Sequence, residues 1–506
     1  MKLKDLLNVL ERTTALPDAV LNRDVTNIAH DSRKVVPGSL FVAVRGFHSD
    51  GHLFVSQAME KGAVAVIAED GTLTGTSSPV PVVLVKDSRN ALALIANAFY
   101  GHPSRNLKLI GVTGTNGKTT TTYLVKSILE AAGSSTGLIG TIDYRLRDKV
   151  YPAPNTTPES LDLQRLLAEM VSQGVNYCVM EVSSHALELG RTKGCTFSAA
   201  AFTNLTQDHL DFHETMDAYF RAKLRLFTDL APDSHAVINI DDARGKTIIA
   251  ATKATVITTG STALADVRPV SPIQHGIHGL VFDVTIPTGM IHVESPLVGR
   301  HNIDNILTAI GLGIAMAVRN DDIATGIRSM KAVPGRMEKI VDGQPFGVIV
   351  DYAHTEDALM RLLKSVREIA AGHVITVFGC GGDRDRTKRP KMGAVAVQGS
   401  DFVIVTSDNP RSENPHAIVR DIEDGMTYGG QKVVEFSVES KNRFGKTPYQ
   451  VIPDRRQAID AAIQMARPGD VVVLAGKGHE NYQIVGDKRI HFDDREVARE
   501  VLQKRR

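Results

Sequence analysis

The sequence has no tryptophan and only three cysteines among its 506 residues. Cys178, Cys195 and Cys380 show no C-x-x-C spacing and no even framework, which argues against a disulfide-stapled fold and indicates a reducing compartment. Charge of either sign is not in excess, with 58 Lys and Arg against 57 Asp and Glu. This balance argues against nucleic acid or an anionic membrane surface as a partner, because both favour a basic excess.

A long hydrophobic run is missing as well. The longest apolar stretch, ILTAIGLGIAMAV (306–318), is too short to span a bilayer and predicts a buried helix. The N-terminal stretch MKLKDLLNVLERTTALP has charges inside its apolar pattern, which predicts an amphipathic helix and not a signal peptide. We therefore expect a soluble, cytoplasmic protein without a membrane partner.

The chain is too long for one hydrophobic core, and its pattern divides it into three segments. Residues 1–103 predict a small α/β module, followed by HPSRN (102–106) as a linker. Residues 104–338 and 339–506 each alternate apolar strands with helices, which predicts parallel sheets with crossover helices. The predicted fold is α/β with three domains: a small N-terminal domain, a central P-loop ATPase-like domain and a C-terminal Rossmann-like domain.

GVTGTNGKTT (111–120) lies between an apolar strand and a predicted helix for which Gly133 is a C-cap. A glycine-rich loop in this position points N–H groups at phosphate oxygens, while Lys118 adds a positive charge and the Thr119 hydroxyl suits Mg²⁺. Its first glycine stands one position earlier than in the strict motif, so the loop is a variant. A chance turn is disfavoured, because strand, loop, lysine, hydroxyl and helix follow in the right order. The predicted ATP contacts are Gly114, Thr115, Asn116, Gly117, Lys118, Thr119 and Thr120.

Two polar clusters follow other predicted strands of the central segment. EVSSHAL (181–187) comes after VNYCVM, and TNLTQDHLDFH (203–213) comes after FSAAAF. Ligands bind beyond the carboxyl ends of strands in open α/β sheets, so Glu181 and His209 are candidates for a metal site near the nucleotide. Magnesium prefers oxygen, which favours Glu181, whereas for His209 alone a turn or cap is the simpler interpretation.

GVTGTNGKTT, EVSSHAL, DHLDFH, AKLRLF, HNIDN, VPGRME and DYAHTEDAL occur in this order, and with them the chain resembles the Mur ligases over essentially its whole length. The resemblance implies an enzyme of bacterial peptidoglycan precursor synthesis. In this family the N-terminal domain holds the UDP end of a muramyl peptide, the central domain binds ATP, and the C-terminal domain closes with the incoming amino acid. ATP phosphorylates a peptide carboxylate, and an amine attacks the acyl phosphate.

The resemblance gives roles to residues that carry little signal alone. It implies Lys118, Glu181, His209 and Lys223 as catalytic residues, and Thr119, Glu181, His209 and Lys223, the last as a carbamate, for Mg²⁺. Without the family, Lys223 would be one more exposed lysine on an amphipathic helix. Further implied ATP contacts are Asn302, Asn305, Arg336, Asp351 and His354. Glu356 stands where the family usually has proline, and both residues suit the first turn of a helix.

For the UDP-muramyl dipeptide, the resemblance implies a set of hydroxyl, amide and guanidinium side chains. These are Ser32, Asn155, Thr156, Thr157, Ser183 and Arg191. Hydroxyls and a guanidinium suit pyrophosphate and carboxylate contacts, although each residue alone could serve an ordinary turn or cap.

SDNPRSENP (407–415) follows the predicted strand DFVIVT, and an isolated stretch of this kind is usually a solvated turn. In the family, DNPR marks the members that add meso-diaminopimelate, which differs from lysine by a second carboxylate. A guanidinium binds that carboxylate bidentately, so Arg411 is predicted to select the acceptor, followed by a helix from Pro415 with Asn414 as N-cap. The other implied acceptor contacts are Arg384, Asp408, Asn409, Gly476 and Glu480.

Three alternative functions stay open. DNPR argues against a lysine-adding ligase of the same family, and the N-terminal module DSRKVVPGSLFVAVRGFHSDG argues against a folylpolyglutamate synthetase-like ligase. The third is a P-loop NTPase without an amino-acid acceptor, which leaves the third segment's polar cluster unexplained. A non-enzymatic scaffold is excluded from these three, because ligand-type residues recur at strand ends in all three segments. We expect a monomer whose substrates are ATP, the UDP-muramyl dipeptide and meso-diaminopimelate.

Overall fold

Apolar strands followed by helices build three large sheets in the part of the chain that the structure describes, and most neighbouring strands run parallel. This is the α/β fold that the alternating pattern predicts. The computed structural model describes residues 1–11, 14, 16–46, 49–69, 80–433 and 446–505. They form two units, Met1–Arg268 with Asn305–Gly326 and Pro269–Asp304 with Ile327–Arg506. The domain boundaries near 103 and 338 stay a prediction.

The N-terminal sheet has four parallel strands in chain order. Its strands are Asn27–Ala29, Ser39–Val42, Ala65–Ala68 and Val82–Leu84. The helices around it are Leu3–Leu7, Asp18–Leu21, Val55–Glu60 and Ser88–Phe99. Adjacent strand residues such as Phe41 and Val42 enter apolar cores on opposite faces, which explains why these strands are apolar apart from Asn27 and Ser39 at their starts.

The predicted N-terminal amphipathic helix is shorter than its apolar pattern. It spans Leu3–Leu7 and buries three leucines. Asn8 takes the C-cap, a position that suits a side chain able to compete for backbone hydrogen bonds. Residues 12, 13 and 15 of the predicted helix lie outside the described residues.

The second sheet has eight strands, six of them parallel and two added as antiparallel edge strands. In spatial order they are Thr255–Thr259, His235–Asn239, Ala199–Phe202, Lys108–Thr113, Tyr177–Glu181, Thr136–Ile139, Asp143–Leu146 and Lys149–Pro152. The accompanying helices are Lys118–Ala131, Ser160–Ser172, Ser184–Glu188, Leu210–His213, Met216–Thr228, Gly245–Ala251, His301–Ala315 and Asn320–Ser329.

The central strand Lys108–Thr113 determines where the chemistry of this sheet can occur. Val112 is in register with Glu181, and Thr113 is in register with Phe202. The segments that leave these three parallel strands therefore begin side by side at one edge of the sheet. The glycine-rich loop, Glu181 and the TNLTQDH segment are brought together in this way.

Several local predictions for this unit are confirmed. Gly133 follows the C-cap of the helix Lys118–Ala131 with a φ of +78°, a backbone conformation that favours glycine. The apolar stretch from 306 belongs to the helix His301–Ala315, in which Ile306 and Ile310 are fully buried. The segment HPSRN contains the short 3-10 helix Pro103–Arg105, and Ser104 Oγ accepts a hydrogen bond from the Thr196 N–H at 3.0 Å. Its role as a linker between domains stays a prediction.

The third sheet has seven strands, all parallel except for an antiparallel edge strand. In spatial order they are Glu338–Lys339, Gly347–Asp351, Val471–Ala475, Val374–Phe378, Phe402–Val405, Thr447–Val451 and Gly430–Lys432. Its helices are Glu356–Ile369, Lys388–Gly399, Pro415–Met426, Arg455–Met465 and Asp494–Arg505. The predicted helix start at Pro415 is confirmed, and Asn414 caps it by accepting from the His416 N–H at 2.9 Å.

Two small antiparallel sheets complete the second unit. One has the strands Arg268–Gly276, Gly279–Ile286 and Gly289–Ser295, and the other is a hairpin of Tyr482–Val485 and Lys488–His491. Among the described residues, no helix is long and apolar enough to cross a membrane.

Candidate active site

The glycine-rich loop adopts a conformation that two of its glycines make possible. Gly114 has a φ of +149° and Gly117 a φ of +87°. A Cβ at Gly114 would lie 1.9 Å from Thr203 Oγ1, and one at Gly117 would lie 2.2 Å from Asn305 Oδ1. The third glycine, Gly111, belongs to the strand instead, where a Cβ would meet the Phe197 ring at 2.8 Å. The loop therefore requires glycine at 114 and 117 for close backbone approach.

The loop is held by the segment that leaves the neighbouring strand Ala199–Phe202. Asn116 N–H donates to Asn204 Oδ1 at 3.0 Å, and Thr203 Oγ1 donates to Asn116 O at 2.6 Å. Thr115 N–H donates to Asn204 O at 2.8 Å. Sequence reasoning pointed to this segment but did not single out Thr203 and Asn204.

Two lysines meet at one carbonyl of the loop. Lys118 Nζ donates to Gly114 O at 2.9 Å and to Thr115 O at 2.8 Å, and Lys223 Nζ donates to Gly114 O at 2.9 Å. Lys223 is only 1% exposed and lies over the Tyr219 ring, so its interpretation as an exposed helix lysine is wrong. Burial and then the Lys118 charge hold the pKa of Lys223 well below its ordinary value, which favours the neutral amine.

The next two residues of the motif, Thr119 and Thr120, lie in the first turn of the helix Lys118–Ala131 and are buried. The helix begins directly after Gly117, so its N-terminal N–H groups follow the loop without interruption. A helix N-terminus of this kind favours phosphate because its N–H groups and dipole both stabilise negative charge.

Glu181 is the buried carboxylate at the end of the strand next to the loop. It is 1% exposed, and its two oxygens accept from the N–H and the hydroxyl of Thr141 at 2.8 and 3.0 Å. Thr141 Oγ1 is also 3.0 Å from Thr156 Oγ1. Sequence reasoning missed Thr141, although it follows the strand Thr136–Ile139 at the same sheet edge.

His209 makes a separate set of contacts from those of Glu181. It has a φ of +53°, its ring centroid is 4.8 Å from that of His185, and its side chain is 42% exposed. Burial and the Lys118 charge lower the pKa of His209 despite the nearby Asp208, which favours a neutral imidazole. Among the described residues, no group of three or more His, Cys, Asp or Glu side chains has the arrangement of a metal site.

Most residues predicted to bind the UDP-muramyl dipeptide converge beside Glu181. Thr157 Oγ1 donates to Glu181 O at 2.8 Å and accepts from the Ser183 N–H at 3.1 Å. Arg191 Nη1 donates to Thr157 O at 3.0 Å, and the guanidinium pairs with Glu159 at 2.7 Å. Thr157, Ser183 and Arg191 thus form one network with the metal candidate Glu181.

Two predicted dipeptide contacts have other surroundings. The carbonyl of Asn155 accepts from the Tyr144 hydroxyl at 2.5 Å. Ser32 lies beside the N-terminal sheet, where it donates to Gln57 Oε1 at 2.6 Å and its carbonyl accepts from Lys61 Nζ at 3.0 Å. The contacts of Ser32 therefore do not join it to the network around Glu181.

Asn302 and Asn305 lie one turn apart on the helix His301–Ala315. Asn302 Nδ2 donates to Val298 O at 2.7 Å, which ties the first turn of the helix to the chain that precedes it. Asn305 Oδ1 faces Gly117 of the glycine-rich loop. Within the first unit, the helix thus brings one of the two predicted asparagines to the loop.

Arg336, Asp351 and His354 gather around Tyr352 in the second unit. The Arg336 guanidinium lies 5.2 Å from the Tyr352 ring centroid, and His354 Nδ1 is 2.8 Å from Tyr352 O. Asp351 accepts from the N–H groups of Met337 and Ala353 at 2.7 and 2.8 Å. Burial raises the pKa of Asp351, while Arg336 and these hydrogen bonds oppose the rise.

Acidic, amide and ammonium groups meet at the carboxyl edge of the third sheet. Asn409 Nδ2 donates to Glu480 Oε2 at 2.9 Å. Lys477 Nζ lies 3.4 Å from Asp408 Oδ1 and 3.5 Å from Glu480 Oε2, with no exposed side-chain surface. Burial raises the pKa of Glu480, and Lys477 opposes the rise. Sequence reasoning missed Lys477, although it stands inside AGKGHE between the predicted Gly476 and Glu480.

Arg411 is held by backbone contacts and does not lie on a free turn. It has a φ of +50°, its N–H donates to Ile484 O at 3.1 Å, and its carbonyl accepts from the Gly486 N–H at 2.8 Å. Its Nη1 donates to Gly382 O at 2.7 Å. A Cβ at Gly381 would lie 2.9 Å from Arg411 Nη1 and 3.8 Å from Arg384 Cγ, so both predicted guanidinium side chains flank this glycine.

The hairpin that contacts Arg411 also carries an aromatic side chain into the cluster. Tyr482 has the guanidinium of Arg489 over its ring, 3.7 Å from the centroid, and Lys477 Nζ lies 5.6 Å from the same centroid. Gln483 Nε2 donates to Asp408 O at 2.5 Å, and Ile484 N–H donates to Asn409 Oδ1 at 2.9 Å. The hairpin is therefore part of the wall of this cluster.

Comparisons with known proteins cover nearly the whole chain. Three family models match it: the Mur ligase family catalytic domain over residues 24–100, the Mur ligase middle domain over 112–313 and the Mur ligase glutamate ligase domain over 335–478. The chain is 48% identical to UDP-N-acetylmuramoyl-L-alanyl-D-glutamate--2,6-diaminopimelate ligase of Geobacillus thermodenitrificans over 491 residues, 96% of each chain. It is 46% identical to the protein of the same name from Solibacter usitatus over 504 residues, 99% of this chain and 98% of the relative.

A solved structure of a UDP-N-acetylmuramoyl-L-alanyl-D-glutamate--2,6-diaminopimelate ligase has the same fold, with a TM-score of 0.71 and 32% identity over 100% of this chain and 99% of that one. The resemblance that the ordered motifs suggested is thereby confirmed. This chain belongs to the Mur ligase family.

Proposed function

We propose that this protein is an ATP-dependent ligase that joins meso-diaminopimelate to the D-glutamate carboxylate of UDP-N-acetylmuramoyl-L-alanyl-D-glutamate. The observation that carries the proposal is the charge pattern at the carboxyl edge of the third sheet. Arg384 and Arg411 flank Gly381 at this edge, and the carboxylates of Asp408 and Glu480 lie beside Lys477, at 3.4 and 3.5 Å from its Nζ. One end of diaminopimelate presents a carboxylate and an ammonium group together, which this pattern complements. Relatives named for the same reaction support it.

ATP would bind at the glycine-rich loop of the first unit. N–H groups of the loop and of the following helix turn suit the phosphate oxygens, and Lys118 supplies a positive charge. Lys118 Nζ donates to two loop carbonyls, which are neutral acceptors. When ATP binds, charged phosphate oxygens would replace them as stronger acceptors. In the second unit, Arg336, Asp351 and His354 stay predicted nucleotide contacts.

Magnesium is the metal that the family implies, and the donors fit it in part. The Thr119 hydroxyl and the Glu181 carboxylate are oxygen ligands of the kind that Mg²⁺ prefers. Lys223 fits only after its neutral amine attacks CO₂, forming an N–C bond and losing a proton to give a carbamate anion. A neutral His209 imidazole is a further donor. When bound, the metal would neutralise charge on the phosphate oxygens.

The reaction has two steps: phosphorylation activates the glutamate carboxylate, and an amine then replaces the phosphate at its carbonyl carbon. An oxygen of the glutamate carboxylate attacks the γ-phosphorus, a P–O bond forms, and ADP leaves. The amine of diaminopimelate then attacks the acyl carbon, loses a proton and expels inorganic phosphate. Thr157, Ser183 and Arg191 are proposed to orient the dipeptide, because their network adjoins Glu181. Both steps accumulate negative charge, for which Lys118 is the nearest fixed cation of the loop.

The test is acceptor-dependent phosphate release. Protein with ATP, Mg²⁺ and the UDP-muramyl dipeptide receives meso-diaminopimelate or L-lysine, and we expect release with diaminopimelate alone. R411K should lower kcat/KM for diaminopimelate by about tenfold to a hundredfold, since an ammonium cannot replace a bidentate fork. R456A is the control, because Arg456 is an exposed residue that pairs with Glu500 on the neighbouring helix.

Each alternative makes a different prediction in this assay. Equal release with lysine would keep the ligase and reject acceptor selection by Arg411. Release that depends on neither amino acid would favour a P-loop NTPase, and release with glutamate on a folate substrate would favour a folylpolyglutamate synthetase-like ligase. We also infer that the protein acts in the cytoplasm, because ATP and a UDP-linked precursor are its substrates, and we keep the expectation of a monomer.

A further inference from the structure

Arg389 is a fully buried charge that the proposed reaction does not use. It lies at the start of the helix Lys388–Gly399, and its side chain has no exposed surface. Its Nη2 donates to Glu413 Oε1 at 2.7 Å and to Gly381 O at 3.2 Å. Its Nη1 donates to Glu413 Oε2 at 2.9 Å and to Asp421 Oδ2 at 2.8 Å. One planar guanidinium thus contacts three separate parts of the chain.

Two of these parts are the loops that carry the proposed acceptor contacts. We name residues 379–387 the first acceptor loop and residues 407–413 the second acceptor loop. The first contains Gly381 and Arg384, and the second contains Arg411 and Glu413. Arg389 therefore joins the backbone of the first loop to a carboxylate of the second.

Further contacts show how closely the two loops are fitted. Asp383 N–H donates to Glu413 Oε1 at 2.6 Å, and Ser412 Oγ donates to Asp383 Oδ1 at 2.6 Å. A Cβ at Gly382 would lie 1.9 Å from Pro410 O. At this separation a shift of either loop moves the other, because packed backbones deform little.

The helices behind the loops provide a rigid base for this link. A Cβ at Gly393 would lie 2.3 Å from Ile422 O, and one at Gly425 would lie 1.7 Å from Pro390 O. The helices Lys388–Gly399 and Pro415–Met426 therefore pack with their backbones in contact. Arg389 binds Asp421 on the second of these helices, so the guanidinium is fixed from both sides.

Charge alone does not explain why this position holds an arginine. Glu413 and Asp421 carry two negative charges, and Arg386 also approaches Asp421 at 3.2 Å. Arg389 and Arg386 balance the two carboxylates, and a buried pair gains little stability over apolar residues of similar size. What an apolar residue cannot supply is a fork that holds Glu413 and Gly381 at fixed distances.

We propose that Arg389 is a positioning residue for acceptor selection: it fixes the two acceptor loops against each other so that Arg384 and Arg411 keep the spacing that binds the distal end of diaminopimelate. The inference rests on the proposed function. The inference adds one residue to the proposed site: Arg389 binds no substrate itself and acts through Gly381 and Glu413.

The experiment measures steady-state kinetics of R389K and R389M, with E413Q as a second disruption that keeps the shape of the carboxyl group. R367K is the matched control, because Arg367 bonds a carboxylate and a carbonyl, Asp401 at 2.6 Å and Gly399 O at 3.2 Å, within the same unit. We expect R389K to raise KM for diaminopimelate about tenfold, with a smaller change in kcat. KM for ATP and for the UDP-muramyl dipeptide should stay unchanged. The ratio of kcat/KM for diaminopimelate to kcat/KM for lysine should decrease.

Thermal unfolding midpoints of all variants accompany the kinetics, and E413Q decides the question if R389M does not fold. A uniform loss of kcat with unchanged KM for diaminopimelate, or equal changes in all three KM values, would overturn the positioning role. So would an effect of R367K as large as that of R389K. If the parent protein releases phosphate at the same rate with and without diaminopimelate, the proposed function and this inference are both overturned.

Discussion

At the scale of single residues, Gly117 is the position where an added methyl group has the clearest expected effect. In G117A the new Cβ would lie 2.2 Å from Asn305 Oδ1 at a φ of +87°. The strain is about 1–3 kcal/mol and falls on the loop proposed to hold the phosphates. We expect KM for ATP to rise at least about fivefold. An ATP titration of phosphate release measures it.

G133A is the matched control for this substitution. Gly133 has a similar φ of +78°, but nothing lies within 4 Å of its added Cβ, and it stands beyond the far end of the same helix. A loss of stability without a change in KM is expected there. Equal KM values for ATP in the two variants would contradict the role of the glycine-rich loop.

Lys223 leads to a second prediction at this scale. Because burial and Lys118 lower its pKa, we expect a neutral amine that takes up CO₂ near pH 7. The protein in ¹³C-bicarbonate should show one carbamate carbon resonance by NMR, and K223R should lose both this signal and the acceptor-dependent activity. Lys246 is exposed, so K246R should keep both. A carbamate resonance that persists in K223R would place the modification elsewhere.

Residues whose role comes from burial were the hardest to identify from the sequence. Lys223 sits in an amphipathic pattern and gained its role only through the family resemblance. Lys477 stands between two glycines, and Arg389 belongs to the charge run DRDRTKRP, which is typical of a solvated surface. Their surroundings are built by segments distant in the sequence, such as Gly114 around Lys223 and Asp408 around Lys477. By contrast, the glycine-rich loop was predictable because its chemistry lies within ten consecutive residues.

At the scale of elements, the N-cap of the helix Pro415–Met426 gives a stability prediction. Asn414 Oδ1 accepts from the His416 N–H at 2.9 Å. N414A should lower the free energy of unfolding by about 1 kcal/mol, because it leaves an end N–H without that partner. Chemical denaturation measures the loss. N481A, which removes an exposed asparagine side chain outside a helix start, should change it by less than about 0.5 kcal/mol.

Element identity was easier to predict than strand order. The apolar runs GVIVDYAH, HVITVFGCG, DFVIVTSDN and DVVVLAGKG each contain one strand of the third sheet. The sequence does not indicate that Val471–Ala475, the last of them, pairs between the first two. Strand order depends on how helices cross the sheet, and local pattern holds no information on that.

At the scale of the whole molecule, several carboxylates bound by arginine determine the response to acid. Arg33 holds the pKa of Asp31 at about 2, and Arg389 with the Asp383 N–H holds that of Glu413 at about 2. Each lowered pKa stabilises the folded protein at pH values above the ordinary carboxyl pKa, and that stability is lost as the pH falls toward 2. Thermal midpoints should therefore drop between pH 4.5 and 2.

The same series on E413Q isolates one contributor. The variant should be less stable than the parent at pH 7 and should lose less of its midpoint on acidification, because its amide does not titrate. Parallel curves for parent and variant would show that the Glu413–Arg389 contact does not contribute to acid sensitivity.

Tyr482, with the Arg489 guanidinium 3.7 Å from its ring centroid, has an optical consequence. The chain contains no tryptophan, so indole emission is absent from the parent protein. Y482W would place the only indole of the chain beside Lys477 and Glu480, and its emission, excited where tyrosine does not absorb, would report the polarity of that site. Because the parent protein has no tryptophan, it gives no background in the range of indole emission, and acceptor binding could be followed there directly.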